Sequence, residues 1–180
     1  MLIILLSGSA GSGKSTAATL LAKTLLPFSP HMAAFSHAVK KEAAERYGFP
    51  VRLCYTAEGR ATVVETEAGP MTVSDILAGY ERDMRLAHGD DVWARKVVDT
   101  IYTVGARGPW IISDCTSLLE AQVMKRSFPE ARLVSILLER PGVPRTYGAD
   151  PAPVSHVIVN DGTLADLERN MAACIRQYLH

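Results

Sequence analysis

The segment Gly8-Ser9-Ala10-Gly11-Ser12-Gly13-Lys14-Ser15 satisfies G-x-x-x-x-G-K-[ST] with nothing missing. The composition follows from the chemistry of holding a polyphosphate. Backbone N–H groups must wrap the anion closely, so Gly8, Gly11 and Gly13 remove side chains and permit unusual φ values. A helix starting at Lys14 would aim its dipole and its free first amides at the same anion. Lys14 is expected to reach the β- and γ-phosphates and Ser15 to ligate magnesium, with Thr16 as a supporting contact. ATP and Mg²⁺ are therefore the expected cofactors, with residues Gly8 through Thr16 as the binding loop.

Asp114 is the second candidate. It ends the apolar run Trp110–Ser113, where a carboxylate can hold magnesium directly or through water. It can also accept a proton from the phosphate acceptor, or simply cap the helix that follows. Phosphoryl transfer further needs cations around the moving group. Lys40, Arg82, Arg85, Arg140 and Arg145 are the candidates. Arg82 and Arg85 lie three residues apart on one helix, off the Ile76/Tyr80/Met84 face, so they can point into a cleft together. The competing reading is a solvated face on which they pair with Glu81 and Asp83. Trp93 reads as core. The histidines lack ligand spacing, and His37, His88 and His156 read as structural.

These residues must be positioned by alternating strands and helices. Leu2–Leu6 is short, branched and apolar, as a buried parallel strand should be. A helix over Lys14–Leu25 follows, with Ala17, Leu20, Leu21 and Leu25 on one face and Pro27 beyond its end. Met32–Phe35 reads as a strand leading into a helix over Ala38–Tyr47, which Gly48 and Pro50 stop. Between residues 51 and 72 the pattern supports only a small hairpin, with a strand over Ala61–Thr66 and a turn at Glu67-Ala-Gly-Pro. Thr72 caps a helix carrying Ile76, Leu77, Tyr80 and Met84. Another starts near Asp90, with Trp93, Val97, Ile101 and Val104 at helical spacing. The strand Trp110–Ser113 precedes a helix opened by a Ser117/Glu120 capping box. Ala131–Leu138 and Val154–Val159 are the last strands, and Thr163 with Asp166 caps a C-terminal helix. Five short strands alternating with helices predict an α/β fold of three layers around a parallel sheet, in a single domain spanning residues 1–180.

Bulk composition excludes several classes. Nineteen basic residues balance nineteen acidic ones, which argues against a general nucleic-acid coat protein. The three cysteines, Cys54, Cys115 and Cys174, are scattered and predict reduced thiols of a cytoplasmic protein. MLIILL lacks a basic region before its apolar run, so it reads as a strand and not a leader, and no run is long enough to span a membrane. Residues 140–152 (RPGVPRTYGADPA) have the proline, glycine and arginine content of a lid, and 51–72 is a second insert candidate.

Beyond the phosphate loop, SHAVKKEAAERYG, TVSDILAGYERDMRLAHGDDVWARKV, WIISDC, LLERPG and SHVIVNDGTLADL follow in order. In this order they resemble the phage and viral deoxynucleoside monophosphate kinases and, more distantly, the animal-type phosphomevalonate kinases. The resemblance covers most of the chain outside roughly residues 51–70. It implies a P-loop fold with a five-stranded parallel sheet, and a nucleotide-type acceptor phosphorylated by ATP. By position, Lys40 matches a basic residue facing the phosphates, and Arg82 an acceptor-side cation. Arg140 matches the start of the family's R-P-G, near the base or lid. Lys14, Asp114 and Arg82 are thus the expected catalytic set, and Lys40, Arg82, Arg85 and Arg145 the acceptor-binding one. A homodimer is compatible with this reading. Two departures bear on the acceptor. The family's S-D-x-R has Thr116 in place of its arginine, and R-E-I-L-Q reads Ser74-Asp-Ile-Leu-Ala. A monophosphate carries about two negative charges, so a lost arginine weakens its binding, whereas an alcohol needs fewer cations. The related phage hydroxymethyluracil DNA kinases, whose acceptor is a hydroxymethyl group on a base, are therefore the alternative, and a phosphomevalonate-type small-molecule kinase is the third reading.

Overall fold

A computed structural model describes residues 1–105, 107–145 and 152–179. The chain divides into two compact units, one of residues 1–34 with 97–180 and the other of residues 35–96.

The first unit is built on strands β1 (Leu2–Ser7), β2 (His31–Ala33), β5 (Trp110–Ile112), β6 (Arg132–Glu139) and β7 (His156–Val159). They form one parallel sheet in the order β2-β5-β1-β6-β7. Parallel neighbours cannot be joined by a tight turn, and the connections into β2, β5 and β6 run through helices, while β6 passes to β7 with no helix among the described residues. Because β1 lies between β5 and β6, the chain leaves it toward one side of the sheet and returns on the other. That makes the carboxyl end of β1 a topological switch point, where open α/β sheets place their ligands.

The pleat alternates side chains between faces. Ile4 and Leu6 of β1 meet Ile111, Val134, Ile136, Leu138 and Ile158 on one face. Two helices cover that layer: α1 (Lys14–Thr24) through Ala17, Ala18 and Leu21, and α7 (Leu164–Arg176) through Leu167, Met171 and Ile175. The opposite-facing Ile3, Leu5 and Ile112 are buried as well, together with Val98 and Ile101 of α5 (Val92–Val104) and Ala121 and Met124 of α6 (Leu118–Ser127). Burial on both faces explains why these strands read as continuous apolar runs. The expected α/β fold with a five-stranded parallel sheet is the one observed.

The second unit holds α2 (Phe35–Tyr47), a 3-10 turn (Val51–Tyr55), α3 (Ala57–Ala61), the hairpin of β3 (Val63–Thr66) and β4 (Gly69–Thr72), α4 (Val73–His88) and the first turn of α5. Its core joins Ala43, Ala44, Phe49, Cys54, Val73 and Ile76. Helix α2 begins at Phe35, earlier than the expected Ala38, and β2 ends at Ala33. Phe35, Val39 and Ala43 are spaced four apart and all buried, so Phe35 is the first residue of the helical stripe and not the last of a strand. Gly48 at φ +71° ends α2, and the Phe49 N–H returns to Ala44 O at 3.1 Å. Segment 51–72, legible only as a hairpin, also carries α3, whose N-cap Thr56 accepts from Gly59 N–H. The caps expected at Thr72, Ser117 and Thr163 are all formed.

Cys54, Cys115 and Cys174 are free thiols. Among the described residues, no helix is long and apolar enough to cross a membrane. Of the lid candidate 140–152, residues 146–151 lie outside the described residues.

Leu21 is fully buried where α1 meets the sheet and α7. Leu21→Ala should cost about 2–5 kcal/mol. In urea this lowers the unfolding midpoint at unchanged slope; a midpoint near that of the parent would mean that α1 is not held by this layer.

Candidate active site

The phosphate loop leaves β1 at Ser7 and enters α1 at Lys14. Gly8 has φ +140°, and a Cβ there would lie 2.3 Å from Leu138 O and 2.7 Å from Ser12 Oγ. No side chain fits. Gly13, the left-handed N-cap of α1 at φ +101°, is equally confined. The loop closes on itself through Ser12 N–H donating to Ser9 O at 3.1 Å. Lys14, Ser15 and Thr16 open the helix, so their amides have no carbonyl one turn before them within it.

The Lys14 ammonium donates to Gly8 O at 2.7 Å and Ser9 O at 2.9 Å, folded back over its own loop. Burial lowers its pKa, and the nearby Asp114 carboxylate partly offsets this. A half-buried cation whose hydrogen bonds go to backbone carbonyls is well prepared to exchange them for phosphate oxygens. The Ser12 hydroxyl is buried with no hydrogen-bond partner among the described residues. Ser15 and Thr16 stand exposed.

Asp114 follows β5, and the next residue's N–H donates to Leu6 O at 2.9 Å, so the turn is laced to the end of β1. The helix-capping alternative for Asp114 does not hold. Ser117 is the cap of α6: its Oγ accepts from Glu120 N–H at 3.2 Å, and Glu120 Oε2 accepts from Ser117 N–H at 3.0 Å. Glu120 also accepts from Thr116 N–H at 2.8 Å.

Ser15 and Asp114 offer a hydroxyl and a carboxylate, hard oxygen donors of the kind magnesium prefers. Among the described residues no cluster of three or more His, Cys, Asp or Glu forms a metal cage. Magnesium usually binds through one or two protein groups plus phosphate and water, so this sparse donor set fits it.

A cavity of about 320 Å³ adjoins the loop, between Ser9, Ser12, the end of β6 and the segment through Arg145, with Val159 on its far wall. Arg140 lines it. Arg145 lines it too, and its Nη2 pairs with Glu139 Oε2 at 2.8 Å.

The remaining predicted cations belong to the second unit. Lys40 donates to Ser36 Oγ at 3.0 Å and lies 4.9 Å from the Tyr55 ring centre. Arg85 pairs with Glu81 at 3.0 Å and donates to Asp90 O, while the exposed Arg82 lies 3.5 Å from Asp83. Both arginines thus have carboxylate partners on their own helix, Arg82 exposed and Arg85 half-buried. Trp93 is core, as its spacing suggested. His37 and His156 contact the Tyr55 and Tyr178 hydroxyls at 2.9 and 2.6 Å.

Sequence reading missed Glu120 as a neighbour of the site and assigned no role to Asn160. Asn160 Nδ2 donates to Ser12 O at 3.0 Å. Its signal was its place directly after the last strand, in VNDG, but nothing in local spacing links it to a loop so distant in the chain.

No protein-family model matches the chain. No curated protein matches it significantly. Solved structures do. An APS kinase from Mycobacterium tuberculosis, in complex with AMPPNP and APS, superposes with a TM-score of 0.55 at 10% identity, covering 97% of each chain. A gluconokinase from Sinorhizobium meliloti gives 0.50 at 13% identity, covering 98% of this chain and 92% of its own. The chain therefore has the fold of these P-loop kinases.

Burial raises the Glu120 carboxyl above the usual carboxylate range; the Thr116 and Ser117 N–H groups oppose the shift, and the Asp114 charge adds to it. The folded chain thus keeps this proton to higher pH than the unfolded chain. Stability on this account is lost as pH rises from about 4.3 through the raised folded value. Glu120→Gln, whose amide oxygen can still accept from the turn, should flatten this decline in urea titrations between pH 4 and 7. Parallel curves for the two proteins would assign the slope to other groups.

Proposed function

We propose that the chain is an ATP- and magnesium-dependent phosphotransferase of the P-loop kinase type, acting on a nucleotide-type acceptor. A single observation carries it: the loop with Lys14 and Ser15 leaves β1 beside Asp114 at the end of the adjacent strand β5. The loop amides and Lys14 take the β- and γ-phosphates. Ser15 and Asp114 are the residues to hold magnesium, which when bound offsets charge on the phosphate oxygens. The acceptor oxygen bonds to the γ-phosphorus in line as the bond to the β–γ bridging oxygen breaks, and ADP leaves. Lys14 follows the transferred charge, freed from the Gly8 and Ser9 carbonyls. The cavity by Arg140 and Val143 is open for the rest of the ATP molecule.

A deoxynucleoside monophosphate is the leading acceptor, supported by the ordered resemblance from SHAVKK to VNDGTL. One observation favours a second reading, a hydroxymethylated pyrimidine in DNA. Thr116 stands exposed where the resembling family carries an arginine, and its N–H is already taken by Glu120. This position offers no cation to a phosphate dianion, whereas a neutral alcohol requires none.

Incubation with γ-labelled ATP, magnesium and a panel of acceptors separates these readings. The panel holds the deoxynucleoside monophosphates, phosphomevalonate, plain DNA and DNA containing hydroxymethyluracil. Label on a mononucleotide is the expected result. Label on modified DNA alone would transfer the assignment to the alcohol, and label on nothing would remove the kinase reading.

Lys14→Ala should lower transfer at least about a hundredfold with an unchanged far-ultraviolet circular dichroism spectrum. Asp114→Asn should lower kcat more than it raises the KM for ATP. Equal activity in the Lys14 variant would refute the site.

A further inference from the structure

Asn160 touches the phosphate loop from the end of β7. Its backbone N–H donates to Glu139 O at 2.7 Å, which pins the residue against the end of β6. Its side-chain Nδ2 donates to Ser12 O at 3.0 Å. A carbonyl oxygen can only accept, so the nitrogen of the amide, and not its oxygen, faces Ser12. A Cβ on Gly13 would lie 2.5 Å from that same Nδ2, so the glycine that caps α1 also makes the room Asn160 occupies.

The peptide joining Ser12 to Gly13 is trans, as are the others among the described residues. In a trans peptide the C=O and the N–H point in opposite directions. Holding Ser12 O therefore fixes the aim of the Gly13 N–H on the other side of the same plane. That N–H lies in the turn immediately before α1, among the amides that wrap a bound polyphosphate.

We infer that Asn160 is a positioning residue for the polyphosphate: by gripping Ser12 O it presets the Gly13 N–H toward the anion. The inference rests on the ATP reading above and extends it to a residue from the opposite end of the chain. An aspartate of the same shape would replace the donor with an acceptor facing a carbonyl, and would bring a negative charge beside the phosphates.

The test measures binding of ATP and of inorganic tripolyphosphate by calorimetry to the parent, Asn160→Ala and Asn160→Asp. One side chain–backbone hydrogen bond corresponds to about a threefold to tenfold loss. Asn160→Ala should show that loss equally for both probes, and Asn160→Asp a larger one. In turnover the KM for ATP should rise while kcat stays within about twofold, since the residue sets ground-state and transition-state contacts alike. Thermal unfolding checks that each variant is folded, and the near-isosteric aspartate serves if the alanine variant is not.

A folded variant with unchanged affinity for both probes would overturn the inference and leave the kinase reading in place. So would a loss for ATP alone, which would mean that Asn160 meets the base or ribose. A parent protein that bound neither probe would remove the ATP reading itself, and the inference with it.

Discussion

A backbone can hold a polyanion only where several N–H groups converge with no side chain between them. In this chain that demand falls on one short loop, and the surrounding architecture answers it. Gly8 lies so close to the carbonyl of Leu138 that β6 must run directly beside β1. Gly13 is confined from another side by Asn160, which brings the end of β7 against the loop. On the opposite flank β5 pairs with β1 and delivers Asp114. The strand order β2-β5-β1-β6-β7 is therefore also an order of supports around the phosphate loop.

The same place gathers polar groups that work against stability. The Lys14 ammonium is partly desolvated, the Ser12 hydroxyl is buried without a partner among the described residues, and Glu120 is a carboxyl almost out of reach of water. None of these would be chosen to hold a protein together. They are tolerated because Ile4, Leu6, Leu21, Ile136 and Met171 form a dry layer directly beneath. An anion in the loop would relieve at least two of them, giving Lys14 a countercharge and Ser12 an acceptor.

Much of this was legible from residue types. Apolar runs bounded by small residues located the strands, and Ser, Thr and Gly at their ends located the caps, because those signals are local. The phosphate loop was legible for the same reason: its composition states its own geometry. Where reading fell short, the information lay in contacts between distant segments. The start of α2 at Phe35 depends on the burial of that ring in the folded chain, which no local pattern states. Asn160 and Glu120 matter through a carbonyl and two amides they meet only after folding. For Arg82 and Arg85 the spacing left a cleft and a solvated face both open, and in the fold each has a carboxylate on its own helix.

The parallel pairing of β1 has a bearing on how the chain acquires this shape. Its partners begin at Trp110 and Arg132, with the whole of the second unit intervening before either is made. Parallel pairing across such separations closes late, because the entropy of a long loop is spent before its contacts form. On a ribosome, Leu2–Leu6 emerges as an uncharged, branched segment with no neighbour to satisfy its backbone. Such a segment is prone to pair with other chains until its own neighbours arrive. The strand that carries the phosphate loop thus depends, for a time, on whatever else in the cell can shield it.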